Sequence, residues 1–165
     1  MSVRYAARMN VLLLTALWGC AEPSDEAVAA ASYAEMMRPV LYENGLLADQ
    51  FYETAALVQQ SAAASGDVQV VWNSRITPLA EHLVVQADLV TPPPEWESRH
   101  DELLSIWRSR AEAFRAIGDA LERCDRELWA SARSSSDKCK IDEEEWFLET
   151  NEILKPYRIS FDQLP

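Results

Sequence analysis

The sequence predicts an all-α protein, built as an antiparallel up-down four-helix bundle with kinked helices. Apolar residues recur at the 3.6-residue spacing of an amphipathic helix in four long segments. The connections between these segments are short, which favours antiparallel neighbours. No run of alternating apolar and polar residues is long enough to predict a strand. One bundle domain over residues 25–165 is therefore expected.

The first predicted helix begins after Ser24 or Asp25, with acidic residues in its first turn, and extends to about Ala64. Pro39 predicts a kink or a break within it. Its apolar stripe consists of Tyr33, Met37, Val40, Leu47, Phe51, Ala55 and Val58.

The second predicted helix covers residues 68–90, with a bend at Pro78, and three consecutive prolines at 92–94 separate it from the next helix. The third, over residues 94–132, has the clearest amphipathic pattern. Its apolar face consists of Trp96, Leu103, Trp107, Phe114, Ile117, Leu121, Cys124 and Leu128.

A polar loop is predicted over residues 133–138. The last helix then begins at Asp142 or Glu143, where Asp142 and Glu145 resemble a capping box, and ends near Leu154. The tail over residues 157–165 is loose or lies along the bundle, with three apolar side chains available to dock.

Residues 11–20 contain a short apolar run that follows Arg4 and Arg8, and this segment ends at Cys20. A charged start, an apolar run and a polar continuation are typical of an export signal. The run is about eight residues long, well short of the ~20 needed to cross a bilayer. Residues 17–20 resemble the lipobox of bacterial lipoproteins, although Trp18 is bulkier than the residue usual there. The alternative is an ordinary secretory signal in which Cys20 is incidental.

The lipoprotein resemblance implies cleavage after residue 19, lipid attachment at Cys20 and a short tether over residues 20–24. It further implies a membrane partner through the lipid anchor and a place in the cell envelope. Ala21, rather than Asp, after the cysteine points to the outer membrane by the sorting habit of that family.

The chain is acidic, with a net charge of −12, which becomes −14 if Arg4 and Arg8 leave with residues 1–19. A negative field repels nucleic acid and anionic headgroups, so nucleic-acid binding is disfavoured. Solubility explains the charge, and a basic partner is the more specific alternative.

Once Cys20 is assigned to lipid, Cys124 and Cys139 remain, and a disulfide between them is expected in an oxidising compartment. A metal pair or a reactive thiol is the alternative.

The sequence contains no phosphate loop, no HExxH and no nucleophile elbow, so neither an enzyme nor a cofactor is predicted. Glu97 and His100 form one Glu-x-x-His, an element that di-iron bundles use twice. A structural histidine is the simpler interpretation, and no metal is predicted.

Several polar residues fall on the predicted buried stripes. They are Asn44, Arg75, Gln86, His100, Arg110, Asp125 and Glu149. Arg75, Arg110 and Glu149 are expected at similar heights near the middle of the bundle, with Glu149 pairing an arginine, since a buried unpaired charge is costly. The alternative to this salt bridge is a small pocket for an anionic ligand, formed by Arg75, Arg110, Glu149 and His100.

The sequence therefore predicts a non-enzymatic, membrane-tethered lipoprotein that serves as an interaction or structural module, with an envelope protein as a possible partner. A small anionic-ligand-binding bundle is the alternative function. Trp129, at the edge of its stripe, is a candidate partner contact.

Overall fold

The computed structural model describes residues 23–60 and 65–161, and all regular secondary structure within these ranges is helical. The α-helices are α1 (Asp25–Gln60), α2 (Ser65–Val71), α3 (Thr77–Asp88), α4 (Glu97–Arg123) and α5 (Arg126–Leu154). A π-helical turn, Trp72–Ile76, joins α2 to α3 without a break, so the helices form four long segments. The lipobox and Cys20 lie outside the described residues.

The helix α1 begins where the sequence predicts it, with Ser24 Oγ accepting a hydrogen bond from the backbone N–H of Ala27 (3.2 Å). It continues through Pro39 as one helix. Tyr33, Met37, Val40 and Leu47 are all buried, as the predicted stripe requires. None of the helices in the described residues is both long enough and apolar enough to cross a membrane.

The second segment contains a feature that the sequence pattern does not predict, the π-helical turn directly before Thr77 and Pro78. Trp72 in this turn is buried, and its indole Nε1 donates a hydrogen bond to the Phe114 carbonyl of α4 (2.7 Å). A π turn holds more residues than an α turn, which rotates its side chains relative to a 100° count.

The boundary between α4 and α5 differs from the prediction. The third predicted helix was expected to run to residue 132, but α4 ends at Arg123, and Cys124 adopts the left-handed conformation (φ 53°, ψ 35°) that terminates it. Asp125 caps α5, since its Oδ1 accepts from the backbone N–H groups of Glu127 and Leu128 (both 3.0 Å). Asp125 is therefore an exposed cap, not a buried polar residue.

The predicted polar loop over residues 133–138 is also wrong, because this stretch lies within α5. Its charges form pairs spaced four residues apart, such as Lys138 with Asp142 (2.6 Å), which support a helix. Ser135 Oγ donates to the Ser131 carbonyl one turn earlier (3.2 Å). A serine-rich stretch is thus helical here because α5 packs along α4 for most of its length.

The predicted disulfide is contradicted, since Cys124 and Cys139 are both free thiols. Cys124 lies in the turn before α5, whereas Cys139 is well inside that helix. At about 1.5 Å per residue, the first residue of α5 and Cys139 are roughly 20 Å apart. A disulfide needs Cα atoms within about 7 Å, so this pair cannot close while α5 is formed.

The core lies between α1, α3, α4 and α5 and includes Phe161 of the tail. Tyr33 stacks on Trp96 (centroids 4.8 Å apart), and Phe161 of the tail stacks on Trp146 (6.0 Å). The tail therefore docks through Phe161. The helix α4 packs against both α3 and α5, but α1 and α5 do not pack closely against each other. That separation leaves one side of the bundle open.

Candidate functional site

The candidate site is built on Arg110, the one arginine among the buried residues that the structure describes. It is 9% exposed and lies midway along α4. Its Nη1 donates to both carboxylate oxygens of Glu143 (3.0 and 2.8 Å), and its Nη2 donates to Asn44 Oδ1 (2.6 Å). Three helices thus meet at a single guanidinium group.

Glu143 of α5 is the acceptor that completes this network. Its Oε1 also accepts from Trp107 Nε1 (2.6 Å) and from Asn44 Nδ2 (3.1 Å). Burial lowers the pKa of Arg110, while the charge and hydrogen bonds of Glu143 act in the opposite direction. Because an arginine stays charged in proteins, the buried cation is neutralised within the chain by a carboxylate at hydrogen-bond distance.

An open groove of about 370 Å³ lies over this network, between α1 and α5. Its α1 wall consists of Asn44, Leu47, Ala48, Phe51 and Tyr52. Its α5 wall consists of Ser136, Asp137, Lys140, Glu143, Glu144 and Phe147. Arg110 and Phe114 of α4 also line it. We call this feature the α1/α5 groove.

Aromatic rings fix one part of the α1/α5 groove. Phe51 stacks on Phe114 (centroids 5.6 Å, planes 9° apart) and meets Trp72 edge-on at 5.8 Å. Tyr52, the next residue on α1, is 59% exposed. The groove therefore combines a rigid aromatic part, a neutralised polar centre and a solvent-exposed tyrosine.

The negative charge of the protein is concentrated on the two helices that border this groove. The sequence of α1 has six acidic residues and one arginine, and that of α5 has eight acidic and four basic residues. In contrast, α4 is nearly neutral, with six acidic and five basic residues. The groove lining itself holds three carboxylates, Asp137, Glu143 and Glu144, and two cations, Arg110 and Lys140, so it has a small excess of negative charge.

A second buried polar centre surrounds His100. Its Nε2 lies 3.0 Å from the Ala87 carbonyl and its Nδ1 lies 3.3 Å from the Tyr33 hydroxyl. A carbonyl can only accept, so Nε2 carries a proton, and Nδ1 is placed to bond the Tyr33 hydroxyl. Burial raises the pKa of Tyr33, which keeps its hydroxyl protonated as the donor. Both ring nitrogens are thus satisfied within the core.

The structure does not bring the four predicted ligand-binding residues together. Arg75 is exposed on the π-helical turn, and Glu149 is exposed and pairs with Arg99 (2.6 Å). His100 and Arg110 are buried but are ten residues apart on α4, or about 15 Å. The expected bridge from Glu149 to a buried arginine is therefore wrong, and Glu143 takes that role.

The remaining predicted polar positions divide between the two centres and the surface. Asn44 lies beside Arg110. Gln86 is half-buried on α3. Trp129 is 39% exposed and carries the Arg133 guanidinium over its ring at 5.3 Å. Within residues 23–60 and 65–161, no group of three or more His, Cys, Asp or Glu side chains is arranged to hold a metal.

A wider furrow of about 550 Å³ runs between α4 and α5 and is lined largely by serines and alanines. Two of its serines bond their own helix: Ser109 Oγ donates to the Ser105 carbonyl (3.0 Å), and Ser135 bonds within α5. The other polar residues of the lining are Ser105, Glu112, Ser131, Lys138 and Asp142, of which Lys138 and Asp142 pair with each other (2.6 Å).

Comparison with protein-family models, with curated proteins and with solved structures finds no match for this chain. The proposed function therefore rests on the site and on the sequence of the chain.

Proposed function

We propose that this protein is a membrane-tethered helical lipoprotein of the cell envelope and that it acts as an interaction module. Ala21, the residue after the lipid-bearing Cys20, favours the outer membrane as its location. The observation that carries the proposal is the α1/α5 groove, an open, partly aromatic surface next to the buried Arg110–Glu143 pair. The leader-like residues 1–20 support the tether. Catalysis plays no part in this proposal.

The pairing of Arg110 favours an interaction module over the anionic-ligand alternative. An anion would have to displace Glu143, which accepts three side-chain donors from α1 and α4. It would also have to approach between two acidic helices. Both effects oppose the binding of a small anion and leave the surface of the groove, rather than its buried cation, as the contact region.

We also infer that the four segments run up and down alternately. Tyr33 meets Trp96 and Phe51 meets Phe114, so positions increase together along α1 and α4. Arg99 meets Glu149 and Arg110 meets Glu143, so they change in opposite directions along α4 and α5. Thr77 meets Phe114 and Ala87 meets His100, so positions also change in opposite directions along α3 and α4. The kinks of the proposed bundle lie at Pro39 and at the π-helical turn.

The tether is tested by fractionation of cells that express the full chain with Cys20→Ala. We expect the wild-type protein in the membrane fraction and the variant in the soluble envelope fraction, since lipid attachment needs the thiol. Equal recovery of both proteins in the membrane would exclude the lipid anchor.

The interaction role is tested by site-specific photo-crosslinking in those cells. A photoreactive residue at position 48, in the α1 wall of the groove, should crosslink to an envelope protein. The matched control is position 31, an exposed alanine on the same helix outside the groove. Absence of any crosslink specific to position 48 would overturn the proposed interaction site.

A further inference from the structure

We propose that the α1/α5 groove binds a cationic amphipathic helix of a partner protein. The inference rests on the proposed function and adds the chemistry of the partner to it. The helical shape, the apolar contact and the positive charge are each derived from a separate property of the groove.

The shape of the groove matches a helix. Its walls are two helices that fail to pack against each other above α4, which leaves a trough along their axes. The lining residues extend from position 136 to position 147 on α5, or about 16 Å at 1.5 Å per residue. That length corresponds to roughly three helical turns, which is enough for apolar anchors at the i, i+3/i+4 and i+7 positions of a docked helix.

The groove offers such anchors an apolar surface. Leu47, Phe51 and Phe147 lie on its two walls, with Tyr52 exposed at the edge. A leucine-rich helical face would therefore find apolar contacts on both walls of the groove.

The charge selects a cationic partner. The bordering helices α1 and α5 carry most of the excess acid, while α4 is nearly balanced. Within the groove, Glu144 is exposed and its pair with Lys140 is long (3.7 Å), so Glu144 can pair with an incoming cation. A second copy of this chain would instead bring two further acidic helices to the surface. Like charges repel, so self-docking is disfavoured.

The test uses the full-length chain and a labelled synthetic peptide of about 18 residues, or five turns, with leucines on one helical face and lysines on the other. A peptide with glutamates in place of the lysines, and a scrambled leucine–lysine peptide, are the matched probes. Fluorescence anisotropy should show the leucine–lysine helix binding at least about tenfold tighter than either control, with affinity that falls as salt rises.

Variants assign the binding to the groove. Ala48→Trp fills the groove and should weaken binding at least about tenfold, and Glu144→Lys should weaken it several-fold. Ala31→Trp and Glu35→Lys place the same changes on exposed positions outside the groove and should leave binding unchanged. Circular dichroism checks that each variant is folded. Equal binding of the glutamate peptide, or equal effects of Ala48→Trp and Ala31→Trp, would overturn the inference.

The crosslinking at position 48 distinguishes failure of this inference from failure of the proposed function. A crosslink to an envelope protein, without binding of the leucine–lysine peptide, would overturn the cationic helix and leave the interaction module in place. A crosslink to a second copy of this chain would identify the chain itself as the occupant and overturn the inference. No crosslink and no peptide binding would overturn both.

Discussion

The α3/α4 side and the α1/α5 side of the bundle differ in how closely their two helices pack. Between α3 and α4, a buried histidine bonds a backbone carbonyl, and two surface ion pairs, Arg115 with Glu81 and Arg108 with Asp88, balance the charge outside. Between α1 and α5, the helices stay apart, and Asn44 reaches Glu143 across the gap. One side is closed and nearly neutral, and the other is open and acidic.

The difference shows how a bundle can present a surface without losing its core. On the open side, Glu143 and Asn44 both bond Arg110 and also bond each other, so α1, α4 and α5 are held together at this one network. A buried salt bridge adds little net stability compared with apolar packing, but removing one partner is very costly. The network therefore sets the positions of the groove walls.

The largest effect is expected from Glu143→Ala. The change leaves Arg110 as an uncompensated buried cation, and it should lower the free energy of unfolding by about 3–5 kcal/mol. Urea denaturation followed by circular dichroism measures this difference. The neighbouring Glu144→Ala, on an exposed residue, should stay within about 0.5 kcal/mol. The double variant Arg110→Met/Glu143→Leu removes both charges, and it should recover most of the loss. A loss below about 1 kcal/mol for Glu143→Ala would show that the network does not hold the open side.

A smaller effect is expected from enlarging one alanine on each side. Ala80 of α3 is 1% exposed, so Ala80→Leu should overpack the core and cost about 1–3 kcal/mol. Ala48 lies in the wall of the open groove, so Ala48→Leu should change stability by less than about 0.5 kcal/mol. Thermal unfolding of both variants provides the comparison. Equal losses at the two sites would mean that the groove is closed in solution.

The sequence predicts the open and closed sides unequally. The helical content and the buried stripe of α1 follow from apolar spacing, which is a local property, whereas the tail was expected either to be loose or to lie along the bundle. Arg75 was predicted on the buried stripe because that prediction uses the α-helical rotation of 100° per residue, which does not hold in the π-helical turn Trp72–Ile76. The turn contains no glycine or proline that would indicate it in the sequence, and Pro78 comes only after the turn has ended.

The site itself depended on the register between α4 and α5, which the sequence did not make clear. Cys124 ends α4 in a left-handed conformation that glycine usually adopts, so no residue of the expected type marked the turn. The sequence signal for the start of α5 was Asp125 as the N-cap residue, followed by the acidic Glu127 in the first turn of the helix. A hairpin centred there places Arg110 and Cys139 at equal distances from the turn, and Glu143 one helical turn further, so Glu143 rather than Glu149 meets the arginine.

The same register determines how the two cysteines should react, and this is the smallest expected effect. Cys124 is exposed, whereas Cys139 is 6% exposed, and burial raises the pKa of the Cys139 thiol. A raised pKa means that the folded state favours the protonated thiol. Its contribution to stability is fully present below the ordinary thiol pKa of about 8.5 and is lost as the pH rises through the folded value.

Alkylation under native conditions should therefore modify Cys124 at least about tenfold faster than Cys139, since the thiolate is the reactive form. Cys139 should react at a comparable rate only in denaturant, and its native reaction should increase above the pH at which an ordinary thiol ionises. Mass spectrometry of digested protein measures both sites, with Cys124→Ser as the control for assignment. A protein isolated with Cys124 joined to Cys139 would require α5 to be broken near its start. The turn at Cys124, the register of Glu143 and the position of the groove walls would then all have to be revised together.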